Sequence, residues 1–255
     1  MTSTVRSVEA AILSALATVL DPELDQPVTE LGFVRSVAID DDGVEVHLRL
    51  PTSFCAPNFA YLMVSDAYDA LAAVPGAGRV RVLLDDHHDS GKINDGIAAG
   101  LGYVGTFGAE AESGLGELRR TFQRKAHLAA MERCCRSVLA GGAWTFEELA
   151  LLELLDLPEG PLKSALLRRR EAIGLPNHPH ARVLVDHDGN PIPRSDVALR
   201  LRLAAATRVS LEGNAHFCRG LLATRYGCAD PAGPADPGAA ATGFAPVVTN
   251  TRSQS

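Results

Sequence analysis

The sequence predicts an α+β protein in which a small α-β-β-α-β sandwich domain is followed by a mostly α-helical domain. Two short segments alternate apolar and polar residues, which is typical of strands with one buried face. Elsewhere in the first hundred positions, apolar residues recur at helical spacing between proline and glycine boundaries. In the second half of the chain the longer patterns are helical.

The first domain is predicted to cover residues 1–108. Its first helix ends before Pro22, because proline cannot continue a helix. An Asp-rich turn ending in Gly43 joins two strands into a hairpin. The predicted elements are, in order, a helix over Val5–Leu20, strands at Val34–Ile39 and Val44–Leu50, a helix from Pro57 to about Ala73, and a third strand at Arg79–Leu84.

A glycine-rich and alanine-rich stretch over Gly91–Gly116 predicts a flexible connection between domains. The second domain is predicted at 109–228, and Thr145 with Glu148 forms a capping-box pattern that indicates a helix start. A tail at 229–255, rich in Pro, Gly, Ala and Thr, is predicted to be disordered. The helical segments predicted in the second domain are Glu117–Leu139, one following Thr145, Pro161–Ile173, Val197–Ala206 and Ala215–Arg225.

Composition and charge exclude several classes of protein. With 46% hydrophobic and 22% charged residues the chain has an ordinary globular composition. A net charge of -7 argues against nucleic-acid binding by bulk electrostatics. The five cysteines are an odd number in a long chain, which is not typical of a secreted disulfide framework. We therefore expect a cytoplasmic protein without a membrane span. The sequence contains no nucleophile-elbow motif, so it does not support a serine hydrolase.

Cys55 is the cysteine whose sequence context indicates chemistry. It lies in the segment Pro51–Pro57, between the end of a predicted strand and the start of a predicted helix. A helix N-terminus presents unpaired N–H groups and partial positive charge, which favour a thiolate over a thiol. A thiolate is the form that binds iron, so Cys55 is a candidate metal ligand.

The order of motifs around Cys55 resembles the SufT-like and PaaD-like family of iron–sulfur cluster assembly proteins. The resemblance covers about residues 5–90 and rests on Asp21-Pro22-Glu23, on Glu30-Leu31-Gly32-Phe33-Val34, on the hairpin, and on Thr52 and Cys55 leading into a helix. Ala56 separates Cys55 from Pro57, whereas family members commonly have proline directly after the cysteine.

The resemblance implies the assembly of an iron centre or iron–sulfur cluster and its delivery to a client protein. It implies that Cys55 is the functional cysteine, with Asp21, Glu23 and Thr52 in supporting positions. The implied cofactor is iron or an iron–sulfur cluster, held transiently. The implied partners are a client metalloenzyme or its reductase, such as a diiron monooxygenase system, and other assembly proteins. A homodimer is a further candidate assembly, and the sequence does not determine the oligomeric state.

Three further groups of residues are weaker candidates for metal ligands. His216, Cys218 and Cys228 are one set, although His216 and Cys218 would lie on separate faces of a helix. The acidic segment Asp85–Asp89 contains His87 and is more typical of a solvated loop. His127, Met131 and Cys134 share a helical stripe that is more typical of core packing.

Two other functions remain open from the sequence. Residues 145–170 resemble a helix-turn-helix, which would indicate a DNA-binding regulator, with Arg168, Arg169 and Arg170 on its basic face. Two packed helices with an exposed basic face explain the same residues. The chain could also be a non-catalytic binding module in which Cys55 is structural.

Overall fold

A computed structural model of the protein describes residues 2–111, 114–227 and 246–252. Short 3-10 helices at Gly108–Glu110, Glu148–Leu151, Leu154–Asp156 and Arg194–Asp196 supplement the regular elements. The α-helices are α1 (Thr2–Leu16), α2 (Pro57–Ala72), α3 (Ser90–Ala98), α4 (Gly102–Phe107), α5 (Gly116–Ala140), α6 (Pro161–Ala172) and α7 (Val197–Tyr226). The strands are β1 (Leu20–Asp21), β2 (Gln26–Pro27), β3 (Val34–Ile39), β4 (Gly43–Arg49), β5 (Arg79–Asp85) and β6 (Val247–Asn250).

The chain folds as two compact units. Unit 1 comprises residues 1–115 together with 214–255, and unit 2 comprises residues 116–213. The α+β class is confirmed, since unit 1 combines helices with a sheet and unit 2 is mostly helical. The sequence-based boundaries of 1–108 and 109–228 did not anticipate that the last part of α7 joins the first unit.

The main sheet of unit 1 has four strands in the order β5-β4-β3-β6. β3 and β4 form the predicted antiparallel hairpin, and β5 and β6 add in parallel on its two sides. Alternate side chains of β3 and β4, including Val37 and Val46, are fully buried in the core. This alternation is the period-two pattern that the sequence showed, so the register follows from burial of one strand face.

The N-terminal helix is shorter than predicted. α1 ends at Leu16, and Leu20 instead pairs with Pro27 in a two-stranded ladder. Ile12 and Leu16 are fully buried, so the apolar face that predicted the helix does face the core. Leu20 is 37% exposed, so the apolar spacing that extended the prediction to Leu20 does not mark a buried helix face there.

The flexible connection predicted over Gly91–Gly116 is wrong for most of that stretch. α3 and α4 occupy 90–98 and 102–107, with Ile93 and Phe107 buried in the core. A Cβ atom at Gly96 would lie 2.1 Å from Thr106 Oγ1, so glycine there permits close packing of the two helices. Gly96 thus serves helix packing, whereas Gly100, Gly102 and Gly108 adopt positive φ angles around the ends of the short helices.

The disordered tail predicted over 229–255 is wrong for residues 246–252. Val247–Asn250 form β6, which pairs in parallel with β3 from Ser36 to Ile39. The β-branched residues Val247, Val248 and Thr249 suit a strand, and they extend the sheet beside the predicted hairpin. The rest of the predicted tail lies outside the described residues.

Unit 2 is built from α5, α6 and the first part of α7 around a separate apolar core. The helix predicted after Thr145 is wrong, since this segment forms two short 3-10 helices. Glu148 does accept hydrogen bonds from the backbone N–H and the hydroxyl of Thr145, both at 2.8 Å. Because the first helix is missing, residues 145–170 do not form a helix-turn-helix.

The last two predicted helices are one continuous helix, α7. An ion pair between Arg208 and Glu212, 2.6 Å apart and four residues apart in the chain, supports the segment where the sequence indicated a break. Leu211 is buried at the same point. Among the described helices, none is both long enough and apolar enough to cross a membrane.

Candidate functional site

Cys55 lies in the loop that joins β4 to α2, as the sequence predicted. Ala56 is the N-terminal boundary residue of α2 and Pro57 begins the helix, a position where proline loses no hydrogen bond. The Cys55 side chain is half-buried and packs against the core of unit 1. The thiol therefore lies at the protein surface on a loop whose ends are fixed by a strand and a helix.

Two contacts orient the Cys55 loop. Thr52 Oγ1 lies 3.5 Å from Cys55 Sγ, which places the predicted supporting threonine beside the thiol. His87 Nε2 lies 2.8 Å from the Cys55 carbonyl oxygen. Because His87 Nδ1 accepts the backbone N–H of Asp89, the hydrogen of this imidazole is on Nε2 and is donated to Cys55.

The loop is also tied to the segment after β5. The backbone N–H of His88 donates to the Ser53 carbonyl at 2.9 Å. Phe54 is 82% exposed and stacks on the ring of His88, with ring centroids 6.0 Å apart. An aromatic side chain this exposed, next to the candidate thiol, is a surface feature available to a protein partner.

Asp21, the first residue of the predicted acidic turn, is buried at the end of β1. Its Oδ1 accepts the backbone N–H groups of Glu23 and Leu24 at 2.9 and 2.8 Å. Burial nevertheless raises the pKa of Asp21 to about 6, because desolvation outweighs the two hydrogen bonds and Glu23 adds a like charge. The turn thus holds a carboxyl group poised between its two protonation states near neutral pH.

Cys218 of α7 is the second thiol in this region. Burial raises the pKa of Cys218 to about 11, the charges of Asp21, Cys55 and Glu23 add to the rise, and Arg219 opposes it. Cys218, like Cys55, is half-buried and packs against the core of unit 1. Among the described residues, no three or more His, Cys, Asp and Glu side chains are grouped so as to hold a metal ion by themselves.

Other predicted candidates lie apart from this neighbourhood. His216 is exposed on α7, whereas Cys218 is half-buried, so the two side chains do not converge. Cys228 lies outside the described residues. His127, Met131 and Cys134 are buried in unit 2, and the stripe is a core face, as the sequence favoured. Burial also raises the pKa of Cys134, to about 11.

The role of His87 was not apparent from the sequence. The acidic segment Asp85–Asp89 is not simply a solvated loop, since His87 is buried and Asp85 receives hydrogen bonds from Arg35 and His47 at 2.8 and 2.9 Å. Only the three-dimensional fold brings His87 to the Cys55 carbonyl. The available signal was a histidine three residues after the end of the predicted strand Arg79–Leu84.

Comparisons with known proteins identify this part of the chain. Residues 9–84 match the family described as iron–sulfur cluster assembly protein. Over 77 residues the chain is 43% identical to the iron–sulfur cluster carrier protein of Mycobacterium tuberculosis, a match covering 30% of this chain and 20% of that protein. The Mycobacterium leprae protein of the same name is 38% identical over 78 residues, with the same coverage.

The chain thus spans about a fifth of the length of these mycobacterial relatives. A shorter relative, an uncharacterized protein of Methanocaldococcus jannaschii, is 31% identical over 85 residues, which are 33% of this chain and 87% of that protein. No solved structure gives a significant match. Asp21, Glu23, Thr52 and Cys55 all fall inside the matched segment, and through this segment the chain belongs to the iron–sulfur cluster assembly protein family.

Proposed function

We propose that unit 1 carries iron or an iron–sulfur cluster as cargo on Cys55 and delivers it to a client metalloprotein. The observation behind this proposal is a half-buried thiol, at the surface of a loop held by Thr52 and His87, inside the segment that matches the family. A carrier must bind its cargo and also release it. A half-buried thiol at the protein surface allows both binding and release of the cargo, whereas a closed site within the core would hinder release.

The surroundings of Cys55 support handover to another protein. Phe54 offers an exposed aromatic contact beside the thiol, and exposed aromatic side chains are common in the centres of protein interfaces. The client that we propose is a metalloenzyme or its reductase, with a diiron monooxygenase system as the specific candidate. Other assembly proteins would load the cargo before transfer.

Anaerobic reconstitution tests the proposal. The full chain is incubated with ferrous iron and sulfide under reducing conditions, desalted, and assayed for bound iron, bound sulfide and visible absorption. We expect cluster-type absorption in wild type and its loss in Cys55→Ser. Cys134→Ser is the matched control, because Cys134 is buried in the core of unit 2. Equal iron and sulfide in wild type and Cys55→Ser would contradict the proposal.

A further inference from the structure

The last turn of α7 is held firmly in unit 1. Leu222 is fully buried, and Tyr226, four residues later on the same side of the helix, packs against the same core. Gly227 follows with a φ of 66°, the left-handed backbone conformation that commonly ends a helix. Arg225 lies between these anchors, so its position is fixed by the packing of its neighbours.

The guanidinium of Arg225 joins two segments of unit 1. It donates to the Leu50 carbonyl at 3.0 Å and to Ser53 Oγ at 2.8 Å, both in the Cys55 loop between β4 and α2. It also donates to the carbonyl oxygen of Asp86, in the segment after β5. Because a guanidinium holds its N–H donors in a rigid plane, Arg225 fixes these three acceptors relative to one another.

Asp86 is the turn residue that the end of α7 holds from two sides. Its φ is 53°, in the left-handed region that few residues other than glycine adopt. Its carbonyl oxygen accepts from Arg225, and its carboxylate accepts the Tyr226 hydroxyl at 3.3 Å. The next residue is His87, which donates to the Cys55 carbonyl at 2.8 Å. The end of α7 thus supports the turn that carries the contact to Cys55.

The start of the Cys55 loop is also in contact with the end of α7. Arg49, the last residue of β4, places its guanidinium carbon 4.6 Å from the centroid of the Tyr226 ring. The match to the family ends at residue 84, so Arg225 and Tyr226 come from a part of the chain that this match does not cover. The C-terminal helix therefore adds contacts to a loop that lies within the family segment.

We propose that Arg225 is a positioning residue for Cys55: it holds the Cys55 loop against the segment after β5 and thereby slows release of the cargo from the thiolate. This inference rests on the proposed function and specifies how firmly the cargo is held. Arg225 acts through Ser53 and the two carbonyl groups, which determine where the loop lies. Residues that orient a metal ligand from behind commonly change metal affinity by about 10- to 100-fold.

Arg252 provides a matched control in the same unit. Its guanidinium donates to the carbonyl oxygens of Asp40 and Ala77 at 2.9 and 3.1 Å, so it also joins two loops. Asp40 lies just before β4, whereas the Cys55 loop follows the other end of that strand. We expect Arg252→Ala to destabilise unit 1 much as Arg225→Ala does, without acting on the Cys55 loop.

Iodoacetamide labelling tests the position of the loop. Peptide mapping of the native full chain gives the alkylation rates of Cys55 and of Cys218, which lies seven residues before Arg225 on the same helix. We expect Arg225→Ala to raise the Cys55 rate about 10-fold, the effect of losing one hydrogen bond to a charged group, and to leave the Cys218 rate near that of wild type. An unchanged Cys55 rate, an equal rise at Cys218, or the same rise in Arg252→Ala would overturn the inference.

A milder variant tests the same contact if Arg225→Ala does not fold. Ser53→Ala removes only the Oγ acceptor of Arg225. We expect it to raise the Cys55 alkylation rate about two- to five-fold, and to add nothing when Arg225→Ala is already present. An unchanged rate in Ser53→Ala, or effects of the two substitutions that multiply in the double variant, would show that Arg225 does not act through this loop.

Release of the cargo separates this inference from the proposed function. Reconstituted wild type, Arg225→Ala and Arg252→Ala are mixed anaerobically with an iron chelator, and the loss of cluster absorption is followed. We expect Arg225→Ala to release its iron about 10-fold faster than the other two. If wild type binds no cluster, the proposed function fails and the effect on release fails with it. If wild type binds cluster and Arg225→Ala releases it at the wild-type rate, the proposed function stands and this inference is wrong.

Discussion

Both units bury ionisable groups, but these groups have different surroundings. Unit 1 buries Asp21 and His87, and His87 donates to the Cys55 carbonyl, whereas unit 2 buries His127, Glu132 and Arg170. In unit 2 the buried Arg170 is fully used in holding loops, since it donates to the carbonyl oxygens of Pro176 and Arg182. In unit 1 the buried carboxyl lies in the segment that matches the family.

Burial disfavours the charged form of both Asp21 and Arg170. Desolvation lowers the pKa of Arg170, and the guanidinium hydrogen bonds satisfy the carbonyl oxygens of Pro176 and Arg182. Buried charge in unit 1 opposes folding at neutral pH, because the raised pKa of Asp21 means that its ionised form is destabilised. A residue that persists at such a cost is typical of a functional site.

The aromatic residues allow each unit to be followed separately. The only tryptophan, Trp144, belongs to unit 2 and packs against its core. The four tyrosines, Tyr61, Tyr68, Tyr103 and Tyr226, all belong to unit 1. Tryptophan fluorescence therefore reports on unit 2, and near-ultraviolet tyrosine signals report on unit 1.

The largest effect is expected from Arg170→Ala. The side chain is fully buried, and its removal leaves two carbonyls without donors and a large cavity. We expect the free energy of unfolding of unit 2 to fall by about 3–5 kcal/mol, as for loss of one partner in a buried charged network. Urea unfolding followed by Trp144 fluorescence measures this change.

Exposed Arg168 provides the control for Arg170, and Arg168→Ala should change the stability by less than about 0.5 kcal/mol. The sequence placed Arg168, Arg169 and Arg170 together on an exposed basic face. The structure corrects this interpretation for Arg170, and a triple alanine variant would unfold unit 2 rather than test DNA binding. Equal stability of the two single variants would contradict the assigned role.

His127 should make unit 2 sensitive to acid. Burial lowers the pKa of His127 to about 4, with further lowering by the charges of Arg170, Arg200 and Arg169, against 6.5 in the unfolded chain. The neutral imidazole of His127 therefore contributes about 3 kcal/mol to the free energy of unfolding above pH 6.5, and this contribution is lost as the pH falls toward 4. Trp144 fluorescence in urea between pH 7 and pH 4 measures the loss.

In His127→Gln this acid sensitivity should be reduced, whereas exposed His187→Gln should behave as wild type. If His127→Gln loses stability with acid as steeply as wild type does, another group is responsible.

Asp21 should have the opposite effect in unit 1. The pKa of Asp21 is raised from 3.8 to about 6, so the folded state binds this proton more tightly than the unfolded chain does. The resulting contribution to the free energy of unfolding is present below pH 3.8 and is lost as the pH rises through 6. Asp21→Asn keeps an oxygen for the N–H groups of Glu23 and Leu24 but carries no charge. We expect it to stabilise unit 1 by about 2 kcal/mol at pH 7 and to have little effect at pH 4.

Tyrosine circular dichroism during urea unfolding measures the effect, and Asp69→Asn on the exposed side of α2 is the control. Destabilisation by Asp21→Asn at pH 7 would show that the ionised carboxyl has a favourable partner.

The smallest effect concerns the relative reactivity of the cysteines. Burial raises the pKa of Cys134, Cys135 and Cys218, so these three thiols should react slowly. We expect Cys55 to be alkylated by iodoacetamide faster than each of them in the native chain at neutral pH, as followed by peptide mass mapping. Slower labelling of Cys55 than of Cys134 would argue against an accessible thiol.

Thr52→Val removes the hydroxyl that lies 3.5 Å from Cys55 Sγ, and it should change the alkylation rate of Cys55 only a few-fold.

Local patterns predicted much of unit 1. The hairpin, α2 and the position of Cys55 between a strand and a helix follow from alternation, from Pro57 and from short motifs. The glycine-rich stretch misled because Gly96 serves helix packing, and the gap predicted in α7 misled because Arg208 and Glu212 there form ion pairs with Glu132 and Arg133 of α5. Propensity alone does not contain such tertiary contacts.

The long-range part of the site could not be predicted. His87 reaches the Cys55 carbonyl only because β5 lies beside β4 and ends near the same loop. Cys218 is 163 positions from Cys55, and its place is set by the packing of Ala215 and Leu222. The sequence did not distinguish Cys218 from Cys228 as candidates, and the fold shows that Cys218 packs against the core of unit 1.

Cluster transfer tests the central claim most directly. The reconstituted full chain is mixed anaerobically with an apo-ferredoxin in the presence of an iron chelator, and the ferredoxin is assayed for its cluster after separation. If Cys55 carries the cargo, wild type and Cys134→Ser should transfer cluster at the same rate despite the chelator, and Cys55→Ser should transfer none. Transfer by Cys55→Ser at the wild-type rate would contradict the account.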